Sequence, residues 1–198
     1  MRPLILPSLV VVALIVVALA GAVLLAASPY ATPGHPQYTS DNQLLRPSDY
    51  RDWVFLSSGL GMSYNTQMDH EMFTNVFVPQ WAYQDFLKSG KWPEKTMFVV
   101  EERGATSKGS INKLGKYQTT DLMGIGVEVK DTAHFADRWA YFNFDDDTKS
   151  AAANPKAGCW TCHEDHAAVE HSFVQFYPTL KPVAKKFGTY REAAEKVE

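Results

Sequence analysis

The residues best suited to chemistry lie late in the chain, in the run Cys159-Trp160-Thr161-Cys162-His163. Two thiols separated by two residues can add across the two vinyl groups on one edge of a porphyrin, and the next residue can then reach the iron. The spacing C-x-x-C-H is typical of covalent c-type haem attachment. It predicts one haem c per chain, held by Cys159 and Cys162, with His163 as the proximal iron ligand.

The two cysteines allow three other interpretations. A C-x-x-C redox disulfide usually lies in a thioredoxin-like βαβ unit, which the surrounding sequence does not predict. A zinc site could join Cys159 and Cys162 to His166 or His171, although it would leave His163 without a role. A structural disulfide between cysteines this close is sterically awkward. Haem attachment explains more of the motif than any of these three alternatives.

Function then depends on the distal side of the iron. A Met or His there gives a low-spin electron carrier, whereas an open face binds small molecules such as nitric oxide or hydroxylamine. No methionine follows the motif at the distance usual in small electron-transfer cytochromes, which favours an open or apolar distal face. His166 and His171 are too close to His163 in sequence to reach the opposite side of the ring. The remaining candidates for a sixth ligand are His70, His134, Met62, Met68, Met72, Met97 and Met123.

Composition sets the class of protein around this motif. The chain has 198 residues, of which 45% are hydrophobic and 21% charged, with a net charge of −3. These values are ordinary for a globular protein and exclude disordered, collagenous and polytopic membrane classes. With no basic excess, no nucleic-acid partner is expected.

The N-terminus predicts export. Arg2 precedes residues 9–27, which are apolar and uncharged, a length that suits a long signal peptide or one membrane-spanning helix. Either would place the rest of the chain in the periplasm or another extracytoplasmic space, anchored to the inner membrane by residues 9–27 if they are not cleaved. We therefore expect a signal peptide or anchor over residues 1–28, a proline-rich tether over 29–47, and a haem domain over 48–198.

Local patterns in the domain predict an α+β fold, a mainly antiparallel β-sheet flanked by helices and preceded by an N-terminal hydrophobic helix. Ser48 is suited to cap a first helix carrying Tyr50, Trp53, Val54 and Leu56. Pro79 and Gly90 bracket a second, amphipathic helix. The β-prone segments, joined by short connections, are residues 75–78, 96–102, 122–130 and 138–144.

The order of these features resembles the cytochrome P460 family, which looks related to cytochrome c′-beta. The resemblance covers about residues 48–187. It implies an antiparallel sheet with one covalent haem, a homodimer, a small gaseous or nitrogenous ligand and a cytochrome as redox partner. The matching stretches are Tyr50-Arg51-Asp52-Trp53-Val54, Val76-Phe77-Val78 with Tyr83, Gly90-Lys91-Trp92-Pro93, the haem motif, and Phe173-Val174-Gln175-Phe176-Tyr177-Pro178.

The resemblance also indicates what the distal side lacks. Hydroxylamine-oxidising members carry a lysine cross-linked to the porphyrin, and Val100 takes its place here; Thr74 replaces the family's pocket arginine. These changes favour the cytochrome c′-beta type, in which, as the resemblance implies, distal aromatic side chains cap a five-coordinate iron. Strand alternation puts Phe98 and Val100 on the same face of one strand, and Met72 and Thr74 on the same face of the neighbouring strand. Phe98 and Met72 are therefore candidate caps over the iron.

Two main functions follow from these expectations. The first is a haem protein that binds or processes nitric oxide behind an apolar distal face. The second is an oxidoreductase acting on hydroxylamine, which needs an acid or base supplied by Glu101, Glu102, Asp121 or Glu128. A simple electron carrier is a third alternative.

Overall fold

A computed structural model describes residues 33–62, 71–109, 111, 113–145 and 147–195. Over these ranges the chain is α+β, with a five-stranded antiparallel sheet, a separate two-stranded sheet and a few short helices, as the sequence predicts. The hydrophobic helix expected over residues 9–27 lies outside the described residues. Within them, no helix has the length and apolar character that a membrane crossing requires.

The five central strands run in chain order across the sheet, each antiparallel to its neighbours, and β1 pairs with β7 apart from them. The strands are β1 (Leu44–Leu45), β2 (Val54–Leu60), β3 (Met72–Val78), β4 (Met97–Thr106), β5 (Tyr117–Lys130), β6 (Trp139–Phe144) and β7 (Ser150–Ala151). The α-helices are α1 (Gln80–Ser89), α2 (Cys159–His166) and α3 (Lys181–Lys186). Short 3₁₀ helices cover Tyr50–Asp52, Val174–Phe176 and Glu192–Glu195.

The sheet separates two hydrophobic clusters. One face carries Phe98, Glu128 and Tyr141 in adjacent strands, and we call it the α2 face because the helix with the haem motif packs on this side. The opposite face carries Val99, Val127 and Phe142, all of them buried. Strand alternation therefore assigns each residue of β4 and β5 to one of two cores.

Helix α1 begins and ends where the sequence indicates. It follows Pro79 and stops at Gly90, whose φ of 67° is left-handed and suits glycine at a helix C-terminus. Its residues Ala82 and Phe86 are buried in the cluster on the α2 face. The ring of Phe86 lies 4.1 Å from that of Trp92, so the helix is attached to the sheet mainly by apolar contact.

The helix predicted from Ser48 does not form. The chain makes one 3₁₀ turn over Tyr50–Asp52 and then enters strand β2. In that strand Leu56 is buried while Phe55 is half exposed, which is the alternation of a strand. Pairing with β3 outweighs the local apolar spacing on which the helix prediction was based.

The segment predicted as a tether is packed against the domain from residue 34 onward. Leu44 is fully buried and pairs with Ala151. The rings of His35 and Trp81 stack at 4.4 Å. Apolar side chains between the prolines therefore find partners among the residues of the haem domain.

Candidate haem site

Helix α2 brings the three predicted haem residues together. Positions Cys159, Cys162 and His163 are related by three and four residues, so they lie on one side of the helix. Gly158, just before the helix, has φ of 107°, a conformation that L side chains rarely adopt. Both cysteines are half-buried and neither is in a disulfide. Two reduced thiols and an imidazole on one helical surface are the donor set that haem c requires.

The imidazole of His163 is oriented by a hydrogen bond to the main chain. Its Nδ1 atom lies 2.7 Å from the carbonyl oxygen of His171, and because a carbonyl can only accept, Nδ1 must donate. This fixes the tautomer and leaves the Nε2 lone pair available to a metal. The ring is held between Tyr141 at 4.6 Å and Phe173 at 4.4 Å.

Glu128 is the acidic residue beside this imidazole. Its Oε1 atom lies 3.6 Å from Nε2 of His163, and its Oε2 atom is buried without a hydrogen-bond partner among the described residues. Burial raises the pKa of the Glu128 carboxyl, while a positive charge on His163 would lower it. An unsatisfied buried oxygen costs about 1–3 kcal/mol, so the arrangement favours a ligand that satisfies it.

Beyond Glu128, the α2 face is half-covered and carries both apolar and polar side chains. Gly126 carries no side chain over this part of the sheet, whereas the Glu102 carboxylate covers Gly124, with Oε2 3.2 Å from the place of a Cβ there. Thr74 Oγ1 is a second buried oxygen with no partner among the described residues. The residues paired across this face form two rows: Val76, Val100, Gly126 and Asn143, then Thr74, Glu102 and Gly124.

The residues present fit a haem. The thiols and the metal-binding nitrogen lie on α2, and His163 contacts Glu128 on the facing side of the sheet. Two orphaned oxygens, on Glu128 and Thr74, belong to that same surface. If haem c is bound here, Cys159 and Cys162 would hold it and His163 would ligate the iron.

Glu101, named from the sequence as a distal candidate, faces the other side of the sheet. It accepts hydrogen bonds from the Tyr50 hydroxyl at 2.5 Å and from Arg103 Nε at 2.7 Å, and it also contacts Arg51. Because successive side chains alternate, Glu101 must point away from the face that carries Val100. It is therefore a buried structural carboxylate and not a distal group.

The other four distal candidates share the α2 face but differ in position. Phe98 is fully buried and packs edge-on to Trp92 at 4.8 Å, so it is a core residue. Val100 and Thr74 lie on the half-covered surface, as alternation predicts. Met72 pairs with Gly104, which is six residues from Phe98 along β4, about 20 Å. It is therefore remote from the row of Phe98, Glu128 and Tyr141, against which His163 packs.

The other predicted ligands lie elsewhere or outside the described residues. Met97 is buried in the cluster on the opposite face, Met62 and Met123 are exposed, and the His134 ring stacks on Tyr38 at 4.1 Å. Met68 and His70 are outside the described residues. Across the described ranges, no three His, Cys, Asp or Glu side chains come together as a metal site.

Two neighbours of the motif complete its surroundings, and of these the sequence did not indicate Tyr141. Tyr141 packs against the His163 ring, and burial raises the pKa of its phenol beyond its usual range. His171, predicted from its closeness to His163 in sequence to lie at the surface or next to the ligand, supplies the carbonyl that holds Nδ1. Glu128 itself had a readable signal, a charge between Val127 and Val129 in an apolar strand.

Together the fold and the donor set define a monohaem c-type cytochrome built on an antiparallel sheet. A family model described as Cytochrome P460 matches residues 47–174, well over half of the chain, and the chain belongs to the cytochrome P460 family. Proteins of this family carry covalently attached haem c and are generally extracytoplasmic. A comparison with curated proteins found no match.

Proposed function

We propose that Cys159 and Cys162 attach the haem, that His163 is its proximal ligand, and that the protein oxidises a small nitrogen species such as hydroxylamine. The observation that carries this proposal is the Glu128 carboxylate, buried and 3.6 Å from the metal-binding nitrogen of His163. Among the four acidic candidates named from the sequence, Glu128 is the one whose carboxylate contacts His163. A haem c iron supplies a binding position for nitrogen and accepts electrons one at a time.

Glu128 supplies what oxidation of hydroxylamine needs from the protein. Hydroxylamine carries N–H and O–H groups, and a proton leaves with each electron that passes to an external acceptor. The Oε2 atom of Glu128 has no partner among the described residues, so it is available to accept a hydrogen bond or a proton. A positioned acid or base of this kind contributes about 10²–10⁴-fold to rate.

The apolar part of the face restricts the substrate. Val76 and Val100 offer no hydrogen bond, and Gly126 adds no side chain between them and β6. Neither valine stabilises a polar ligand such as bound dioxygen. The polar groups of the same face are Glu128, Glu102, Asn143 and the Thr74 hydroxyl. Small nitrogen compounds that can reach Glu128 fit it best.

Nitric oxide binding is the second candidate function. It is supported by Val100 and Thr74, two uncharged residues at positions where the resemblance implies a lysine and an arginine. Neutral nitric oxide needs no proton acceptor and binds well behind an apolar face. A simple electron carrier receives less support, because the described methionines and His134 lie away from His163.

We infer an exported protein, because covalent haem attachment takes place outside the cytoplasm. Residues 9–27 would serve as a signal peptide or an inner-membrane anchor. A homodimer and a cytochrome that accepts the electrons complete the proposal. Both follow from the family resemblance, and both are open to direct test by sedimentation and by reduction kinetics.

The test compares Glu128→Gln with Glu102→Gln in the haem-loaded protein. Glu102 lies on the same face two residues along β4 from Val100, so it is a matched control. We expect Glu128→Gln to slow hydroxylamine-dependent reduction of a dye about 100-fold or more at equal haem content, with Glu102→Gln unchanged. Equal rates in the wild type and both variants would contradict the role of Glu128. An inactive wild type that binds nitric oxide tightly would favour the second function.

A further inference from the structure

The loop that follows α2, residues 167–173, is fixed to the sheet by polar contacts. Lys130 Nζ lies 2.8 Å from Glu170 Oε2 and donates to the carbonyl of Trp92 at 2.7 Å. The Trp92 indole N–H donates to Ser172 Oγ at 2.7 Å, and Ser172 Oγ donates to the Val169 carbonyl at 2.8 Å. These contacts involve the residues on both sides of His171.

The side chain of His171 makes two further contacts. Its Nε2 atom lies 2.8 Å from Glu164 Oε2 and its Nδ1 atom 3.3 Å from the Tyr141 hydroxyl. A carboxylate only accepts, so Nε2 donates to Glu164, and in the neutral imidazole Nδ1 accepts from Tyr141.

Both contacts reach residues that border His163. Glu164 follows His163 directly in α2, and the Tyr141 ring packs on the His163 ring at 4.6 Å. The backbone carbonyl of His171 accepts the Nδ1 proton of His163 at 2.7 Å. One residue thus joins the helix, the sheet and the imidazole itself.

We propose that His171 is a positioning residue for the proximal ligand, holding the His163 imidazole through its carbonyl while Glu164 and Tyr141 hold its own side chain. The inference rests on the proposed role of His163 as iron ligand. A firm hydrogen bond to Nδ1 gives the imidazole more anionic character and makes it a stronger donor. Loosening it weakens the iron–histidine bond and favours the ferrous state.

The test uses His171→Phe, which keeps a ring of similar size but removes both nitrogens, in the haem-loaded protein. Glu164→Leu is a second variant; the Glu164 side chain is 54% exposed, so this change should not prevent folding. His166→Phe is the matched control, because His166 is exposed on the same helix. Resonance Raman spectra of the ferrous protein give the iron–histidine stretching frequency, and potentiometry gives the midpoint potential.

We expect the stretching band to move to lower frequency and the midpoint potential to rise in His171→Phe. The changes should be smaller but of the same sign in Glu164→Leu, and absent in His166→Phe. Covalent haem content should be equal in all three variants. A change in packing alone would not move the frequency of the iron–histidine bond in this graded order.

Two results would overturn the proposal and are distinguishable. If the iron–histidine band has the wild-type frequency in both His171→Phe and Glu164→Leu, His171 has no positioning role, and His163 remains the ligand. If His171→Phe fails to fold, an unshifted band in Glu164→Leu removes the role by itself. A band that survives in His163→Ala removes the ligand assignment and the positioning role with it.

Discussion

Glu128 and His163 are 35 positions apart in sequence, yet a carboxylate oxygen of the first lies 3.6 Å from the Nε2 atom of the second. Strand β5 makes this contact possible because Val127 and Val129 are buried on the opposite face. Those two side chains determine the register of the strand, and a slip by one residue would turn Glu128 away from α2. The packing of the sheet therefore determines which acidic group reaches the site.

Removal of the thiols should release the haem. Cys159→Ala and Cys162→Ala each leave one attachment point, so each variant should lose part of its covalent haem and the double variant all of it. The fraction of chains carrying haem after extraction with acidified solvent, measured by mass spectrometry, tests this. Thr161→Ala keeps both thiols and should behave as the wild type. Full haem retention in the double variant would refute attachment at these residues.

A lysine at position 100 should approach the haem. Val100 lies on the half-covered part of the α2 face, and the family resemblance puts a cross-linking lysine at this position. We expect Val100→Lys to shift the ferrous Soret band to the red and to keep the shift after denaturation. Glu102→Lys, two residues along the same face, is the control and should show no persistent shift. An unshifted Val100→Lys spectrum would count against this placement.

Phe98 should matter for stability more than for ligand binding. It is fully buried between Trp92 and Trp139, so Phe98→Ala should lower the free energy of unfolding by about 3–5 kcal/mol. The matched change Phe55→Ala removes a ring that is 54% exposed and should cost less than about 1 kcal/mol. Chemical denaturation of both variants measures the two values. Equal effects would mean that Phe98 is not a core residue.

Glu101 should make the free energy of unfolding depend on pH in the acidic range. Burial raises the pKa of this carboxyl, but hydrogen bonds from Arg103 and Tyr50, with the charges of Arg103 and Arg51, outweigh burial and lower it. The ionised carboxylate therefore stabilises the fold at pH values above 4.5, the ordinary pKa of this group. This contribution to stability is lost as the pH falls below 4.5 and through the lowered pKa of the folded state.

Thermal unfolding against pH measures this contribution. Glu101→Gln should have a lower Tm than the wild type at neutral pH and a smaller further loss of Tm below pH 4.5. Glu102→Gln, at the next position and on the other face, should follow the wild-type profile. Parallel curves for the wild type and Glu101→Gln would show that Glu101 does not contribute in this way.

Much of the sheet could be predicted because its signals are local. The apolar runs of β4, β5 and β6 are β-branched or aromatic, and Pro79 and Gly90 mark both ends of α1. The helix prediction for residues 50–60 was wrong because a short apolar run has no periodicity that distinguishes a helix from a strand. Its state is decided by pairing with β3, which is not encoded locally.

For the site as well, local sequence predicts some of the residues, and long-range contacts determine the others. The C-x-x-C-H spacing lies within five consecutive residues, so the sequence alone points to Cys159, Cys162 and His163. Alternation could also have placed Glu101 and Glu128 on different faces. What no local pattern specifies is that β5 meets α2, or that the carbonyl of His171 turns back to His163, because both contacts depend on long-range folding.

The most direct test of the central claim is an anaerobic titration of the ferric haem protein with hydroxylamine in the presence of an oxidised dye. We predict that hydroxylamine is consumed and that the dye is reduced in proportion, over many turnovers per haem. The same preparation containing Glu128→Gln should reduce the dye far more slowly. If the wild type leaves hydroxylamine unconsumed and the dye oxidised while still binding nitric oxide, the protein is a nitric oxide binder and the oxidoreductase proposal is wrong.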